Sequence, residues 1–149
     1  LGEFREPFEL VSFNVIDQKK RRRSSSSQAT IKVSVGKEQE ITAAEGNGPV
    51  NALDNALRKA LRKFYPQLDD VHLVDFKVRI IEGSDGTAAK VRVLLESRDQ
   101  DDVWTTIGVS ANIIEASWRA LVDSIQYKLS KDRPGGSTIN ALTGSAVLK

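Results

Sequence analysis

Cysteine and methionine are both missing from these 149 residues, and histidine occurs once, at His72. Without cysteine there is no disulfide framework, and without a second histidine there is no set of ligands for a transition-metal centre. His72 opens a predicted strand, where a lone histidine is ordinarily a surface or hydrogen-bonded residue. The chain has no G-x-S-x-G nucleophile elbow to serve a Ser-His-Asp triad, and its acidic residues are scattered over strand edges and loops. No active site is legible. Nor is there an apolar run near the roughly 18 residues that span a bilayer, or a secretory signal. Charge of one sign is also lacking: 22 basic residues against 20 acidic ones leave +2, too little to require a nucleic-acid partner. These absences predict a cytoplasmic protein with no cofactor, no membrane and no nucleic acid among its partners. The opening Leu1-Gly2-Glu3-Phe4 and the missing methionine predict a piece of a longer polypeptide.

What is present is an internal repeat. Val11-x-Phe13-x-Val15 matches Val74-x-Phe76-x-Val78 at an offset of 63, and Ile31-x-Val33-x-Val35 matches Val91-x-Val93-x-Leu95 at 60. Leu53, Ala56, Leu57, Ala60 and Phe64 match Trp118, Leu121, Val122, Ile125 and Leu129 at 65. Each copy reads strand, strand, shorter strand, helix. Two copies with so long a period suit a pseudo-two-fold domain rather than a solenoid. The length fits one domain, and 40% hydrophobic with 28% charged residues describes a soluble globular chain. The fold class is therefore α+β, two βββα units related by a pseudo-two-fold with helices packed on sheet faces.

The first unit spans 8–65, within one domain of 8–130. Its first strand, 8–16, places Val11, Phe13 and Val15 on one face. A basic, serine-rich loop follows at 18–28, containing Lys19-Lys20-Arg21-Arg22-Arg23 and four serines. It could grip phosphates, yet no aromatic platform accompanies it, and a solvated loop is the plainer reading. Strand two covers 29–35 and a short third strand 40–43. Gly46-Asn47-Gly48-Pro49 opens a helix that runs to Phe64-Tyr65 and stops before Pro66. The second unit spans 72–130, with strands at 73–81, 88–97 and 103–109 and a helix from near Ser110 to near Leu129. Residues 131–149 form a tail, with Pro134-Gly135-Gly136-Ser137 as a linker.

Gly46-Asn47-Gly48-Pro49 is the most specific local feature. It reads as a helix cap with a tight turn, or as exposed N–H groups that bind an anion such as a carboxylate. The second copy has its own helix start at Val109-Ser110-Ala111-Asn112. Packed about a pseudo-two-fold, both starts could approach one seam suited to a free amino acid. Ala88 and Ala89 would leave room for its apolar side chain, or would serve close helix–sheet packing.

Three stretches resemble the C-terminal regulatory domain of the 2-isopropylmalate synthase and citramalate synthase family. They are Ala44-Glu45-Gly46-Asn47-Gly48-Pro49-Val50-Asn51-Ala52-Leu53, Asp85-Gly86-Thr87-Ala88-Ala89-Lys90-Val91, and Thr106-Ile107-Gly108-Val109-Ser110-Ala111-Asn112-Ile113-Ile114-Glu115-Ala116-Ser117. The resemblance covers residues 8–129, and its wording is nearest to citramalate synthases in Gly48 to Leu57 and in Ile114-Glu115-Ala116-Ser117-Trp118. It implies an intimate homodimer and feedback inhibition by a branched-chain amino acid bound between the units. That effector is isoleucine in citramalate synthases and leucine in 2-isopropylmalate synthases. It further implies a parent acyltransferase that condenses acetyl-CoA with a 2-oxo acid on a metal-dependent TIM barrel. The barrel's His-x-His ligand pair is absent here, so this fragment would carry no catalysis and no cofactor. The basic loop departs from the family's pattern.

The residues expected to form the effector pocket are Gly46, Asn47, Gly48, Pro49, Val50, Asn51, Thr87, Ala88, Ala89, Ile107, Val109 and Ser110. Asp75 is the candidate partner for the effector's ammonium, because a buried cation needs a carboxylate or carbonyl. Apolar surface left over on the helix stripes is expected to serve dimerisation. Two other readings compete with an isoleucine sensor: a purely structural dimerisation module, and a nucleic-acid module that uses the basic run.

Overall fold

A computed structural model describes residues 8–18, 26–83 and 89–132. The chain divides into two compact units between Pro66 and Gln67. In the first, β1 (Glu9–Gln18), β2 (Ser26–Val35) and β3 (Glu38–Gly46) form an antiparallel sheet in that order, followed by α1 (Pro49–Leu61). A short 3-10 turn, Pro66–Asp70, leads to β4 (His72–Ile81), β5 (Lys90–Arg98), β6 (Val103–Ser110) and α2 (Ile113–Lys131). The second sheet has the order β4-β5-β6. Two βββα units are thus present, each with its helix laid on one sheet face. No helix among the described residues is long and apolar enough to cross a membrane.

Strand alternation decides which face each helix covers. On β2, Ser27, Ala29, Ile31 and Val33 are buried; on β5 and β6 the buried set is Val93, Leu95, Ser97, Trp104 and Thr106. The helices answer with stripes of helical spacing, Leu53, Ala56, Leu57, Ala60 and Leu61 on α1 and Ala116, Ala120, Leu121 and Ile125 on α2, all buried. α1 packs on β3 and β2, and α2 on β6 and β5. α1 also reaches part of β1, whereas β4 lies largely beyond α2.

Pairing registers correct two of the repeat offsets. Phe13 stands opposite Ile31, and Phe76 opposite Leu95, so Ile31 corresponds to Leu95 at an offset of 64, not to Val91 at 60. The error of four residues kept every side chain on its proper face, which is why hydrophobic alternation could not reveal it. The helix caps fall at Gly48 and Asn112, again 64 apart, where the apolar stripes had suggested 65. Equivalent hydrogen bonds confirm the 64-residue spacing. Thr42 Oγ1 donates to the Ala56 carbonyl and Thr106 Oγ1 to the Ala120 carbonyl, each at 2.8 Å.

Several element ends also differ from expectation. A bulge between Leu10 and Ser12, repeated between Leu73 and Asp75, takes Val11 out of the face shared by Phe13 and Val15. The third strand is longer than 40–43 because it pairs with β2 along its whole length. α1 ends at Leu61 rather than Phe64-Tyr65, since the amides of Phe64 and Tyr65 both turn back to the Leu61 carbonyl. α2 begins at Ile113 and reaches Lys131, because Asn112 caps it and Ser110 still belongs to β6. Gln18 pairs with Ser26, which narrows the expected 18–28 loop. Residues 19–25, with the basic run, lie outside the described residues, as do 133–149. Exposed apolar side chains sit mainly on strands, with the helix stripes buried, so the apolar surface expected on the helices is on β4 instead.

The second unit is closed by a buried ionic cluster. Asp99, 5% exposed, accepts from the amides of Asp101 and Asp102 at 2.9 Å and from Lys128 Nζ and Lys131 Nζ, both at 2.6 Å. Burial alone would push its pKa up, but the two ammonium groups and the amide bonds outweigh it and hold the carboxyl well below the usual range. The fully buried Trp104 packs against Tyr127 with ring centroids 5.1 Å apart, and its Nε1 donates to Ser124 Oγ at 3.0 Å. Burial and then the Asp102 carboxylate push the Tyr127 hydroxyl up to about 12, so it remains a donor to Asp102. The first unit differs in sign: burial raises the pKa of Asp54, and Arg58 at 3.0 Å only partly offsets it.

A depressed carboxyl pKa stabilises the fold above the unfolded value of about 3.9 and loses that contribution as pH falls toward the folded one. Both tryptophans, Trp104 and Trp118, lie in the second unit, so tryptophan fluorescence follows that unit. Its urea midpoint should fall between about pH 5 and 2, and Asp99→Asn should flatten this acid limb. At pH 7 the same variant should lose about 1–3 kcal/mol, because two buried lysines lose their shortest carboxylate contact and keep only Asp132, at 3.1 Å from Lys128, and Asp102, at 3.6 Å from Lys131. A variant as stable as wild type at pH 7 would contradict the assignment.

Candidate functional site

The expected pocket residues of the first unit come together at the β3–α1 junction. Gly46 ends β3, Asn47 and Gly48 make the bend, and Pro49, Val50 and Asn51 form the first turn of α1. A Cβ on Gly46 would press on the Ala52 amide and the Asn51 side chain, so only glycine lets the strand enter the helix this closely. Gly48 has φ 156° and ψ 172°, a region open essentially to glycine alone. Nothing lies within 4 Å of where its Cβ would point. The junction is held by Asn51 Oδ1, which accepts from the Asn47 amide at 3.2 Å, and by Asn55 Nδ2 on the Glu45 carbonyl at 3.0 Å.

The decisive feature is the cap of each helix. No side chain caps α1, and the amides of Val50 and Asn51 have no partner among the described residues. Sixty-four residues on, the matching amides of Ile114 and Glu115 are both taken by Asn112 Oδ1, at 2.7 and 3.3 Å. One copy therefore supplies its own oxygen to the helix start, while the other leaves two N–H groups open beside a glycine.

The remaining expected residues are more scattered. Val109 and Ser110 occupy the matching β6–α2 junction, where Arg119 Nη1 donates to the Val109 carbonyl at 2.8 Å. Ile107 and Val109 point to the sheet face away from α2, whereas Ser110 shares the helix-facing side with Thr106. Ala89 is exposed just before β5, which removes close helix packing as its role. Thr87 and Ala88 lie outside the described residues. Asp75 is exposed, its Oδ1 accepts from the Phe76 amide at 2.9 Å, and it stands across from Glu96. Two strands and four rows separate it from Val109, roughly 16 Å at ordinary strand spacings.

An open cleft of about 410 Å³ lies beside the edge of β6, lined by Ile107, Gly108, Val109, Trp118, Arg119, Val122 and Asp123. Burial pushes the Asp123 carboxyl up. Sequence reasoning did not single out Arg119, Asp123 or the Asn112 cap. Asn112 was legible in principle, since Asn followed three residues later by Glu115 is a capping pattern.

Comparison with known proteins agrees with this arrangement. Residues 1–129 match the model of the LeuA allosteric (dimerisation) domain. The chain is 56% identical over 132 residues to an (R)-citramalate synthase of Geobacter sulfurreducens, covering 88% of this chain and 25% of that protein. It is 53% identical over 136 residues to the enzyme of the same name from Aquifex aeolicus, covering 91% and 26%. It is 59% identical over 101 residues to that of Synechocystis sp., covering 68% and 18%. The chain thus spans about a quarter of the length of the first two of these relatives.

Removing the cap that the second helix carries should destabilise the second unit without touching the first. Asn112→Ala should lower unfolding stability by about 1 kcal/mol, read by tryptophan fluorescence in urea. No change would mean that the Ile114 and Glu115 amides do not depend on Asn112. The matching family model, the βββα repeat and the glycine-rich junction together place this chain in the LeuA allosteric (dimerisation) domain family.

Proposed function

We propose that this chain is the allosteric regulatory domain of a citramalate synthase, where it binds isoleucine for feedback inhibition and mediates dimerisation. The observation that carries the reading is the pair of open amides on Val50 and Asn51, set against the capped pair on Ile114 and Glu115. A carboxylate at the α1 start would take those two N–H groups with the helix dipole behind them. The open space over Gly48 gives it access. Asp75 is assigned to the effector's ammonium, and Thr87, Ala88 and Ala89 to its side chain. The relatives' names favour a citramalate synthase as parent, for which the family resemblance implies isoleucine; leucine, sensed by a 2-isopropylmalate synthase, is the alternative. The parent polypeptide condenses acetyl-CoA with a 2-oxo acid, and this chain contributes none of the reacting groups. The effector acts by shifting a conformational equilibrium through its differential affinity for two states.

Calorimetric titration with isoleucine, leucine and valine tests the site. Isoleucine should bind most tightly and, at about 100 times its Kd, stabilise the fold by about 2.7 kcal/mol. Gly48→Ala and Ala89→Leu should each weaken binding by about tenfold or more, since a bulkier wall costs about 1–3 kcal/mol. Wild-type affinity in both variants would remove these residues from the pocket, and no binding of any of the three amino acids would leave only a structural dimerisation module.

In the parent enzyme, deletion of this domain should abolish isoleucine inhibition while leaving the condensation measurable. Coupling of about 1–3 kcal/mol should appear reciprocally as weaker effector binding in the presence of substrate. A truncated enzyme inhibited at the same isoleucine concentration would place the sensor elsewhere.

A further inference from the structure

The face of the second sheet that α2 covers does not end at β5. Phe76, Val78 and Ile80 continue it onto β4, in register with Leu95, Val93 and Val91, and they are 47%, 43% and 69% exposed. β4 is also an edge strand, so one side of its backbone ladder is open. A ten-residue edge with an uncovered apolar face is a surface for a partner.

The opposite face of β4 identifies that partner. There Asp75 stands across from Glu96, and Arg79 across from Arg92. Like charges placed directly opposite each other destabilise a sheet. Lys77, Arg79, Arg92 and Glu96 have no ion-pair partner among the described residues, and the free Asp75 oxygen has none either. The isolated unit therefore holds one acidic row and one basic row, four residues apart along β4.

We propose that β4 pairs antiparallel with β4 of a second copy of this chain, about a two-fold axis through Lys77. In that register Asp75 of one copy faces Arg79 of the other, twice, and the two Lys77 side chains meet on the axis, one like-charge contact set against two ion pairs. Each row across the joined sheet then reads Glu96, Asp75, Arg79, Arg92, with two acids meeting two bases. On the other face Phe76 meets Val78, twice, so an apolar band runs unbroken across four strands, β5 and β4 of each copy. All of these paired positions lie beyond the bulge at Leu73 and Asp75, where β4 is regular. Registers shifted by one residue would put Phe76 against charged side chains. A shift of two one way sets Lys77 against Arg79 twice; a shift of two the other way pairs Asp75 with Lys77 but leaves Arg79 and Arg92 as an unrelieved basic row; and a shift of four that way sets Asp75 against itself. The interface is isologous and closed, as a two-fold requires. It deepens the dimerisation part of the function proposed above and rests on that part alone.

Sedimentation equilibrium of this chain and of four variants tests it. Arg79→Asp sets acid against acid at the joint, leaving three acids to one base in each row, and should weaken the dimer by about tenfold or more. Asp75→Arg sets base against base at the joint, leaving three bases to one acid in each row, and should do the same, whereas Asp75→Arg with Arg79→Asp should restore a dimer near wild-type strength. Because the chain has no cysteine, Lys77→Cys provides a unique thiol on the axis. Directly opposed Cα atoms stand about 4.5–5.5 Å apart, within disulfide reach, so mild oxidation should convert that variant to a covalent dimer. A dimeric wild type in which both single variants dimerise normally and Lys77→Cys does not cross-link would overturn the β4 pairing while leaving the dimerisation role intact. A monomeric wild type at all accessible concentrations would overturn both. Isoleucine titration of the restored double variant separates the two roles given to Asp75, since a dimer that no longer binds isoleucine needs that carboxylate for the effector as well.

Discussion

One α-helix is about as wide as two β-strands. With side chains a helix measures about 10–12 Å across, and neighbouring strands are about 4.8 Å apart. A βββα unit that offers one helix to three strands must therefore leave a strand uncovered. In both units the neglected strand is the first, because the chain leaves the sheet from the third strand and the helix returns over the third and second. The consequence differs between copies. On β1, Leu10, Phe13 and Val15 are partly covered, whereas on β4 the matching face stays open over Phe76, Val78 and Ile80. An architecture of this kind is complete only when something else supplies the missing layer or extends the sheet.

The two copies agree where packing demands it and differ where chemistry can. Thr42 and Thr106 tie the third strand to the helix through the same carbonyl, 64 residues apart. Asn55 and Arg119 hold equivalent carbonyls on the strand end, with different side chains. Near the helix C-termini, the exposed Lys63–Glu40 ion pair of the first unit occupies the place of the Tyr127–Trp104 pair in the second. An ion pair at the surface contributes little to stability, while a buried tryptophan with a bonded indole contributes much. The second unit is thus the more firmly closed of the two, and the first is the one that keeps an open helix start.

Much of this was legible from residue order alone. Alternating Ile31, Val33 and Phe13, Val15 announced strands, and the Leu53, Ala56, Leu57, Ala60 spacing announced a helix, because a pattern of period 2 or 3.6 survives in any register. The register itself was not legible. Shifting β5 by four residues against β2 preserves every face, so an offset of 60 looked as good as the true 64. Likewise Val11 looked like a core residue because a bulge leaves no mark in hydrophobic alternation. Gly46-Asn47-Gly48-Pro49 stood out because special backbone geometry demands special residues. Its asymmetry with Asn112 emerged only when the correct 64-residue spacing set Gly48 and Asn112 side by side.

The like-charge pairs on β4 and β5 tie assembly to folding. Each opposed pair lowers the stability of an isolated second unit, and each is neutralised when the acidic row of one copy meets the basic row of the other. Dimerisation on this edge then stabilises the very strands it joins, so the stability of the second unit becomes a function of chain concentration. The same rows make the association sensitive to ionic strength, because their charges are exposed and screened within about 10 Å at 0.1 M salt. The apolar band of Phe76, Val78 and Ile80 has no such dependence. High salt therefore weakens the choice of register before it removes the drive to associate, and a sheet edge that keeps its apolar face while losing its charge pattern is free to pair out of register.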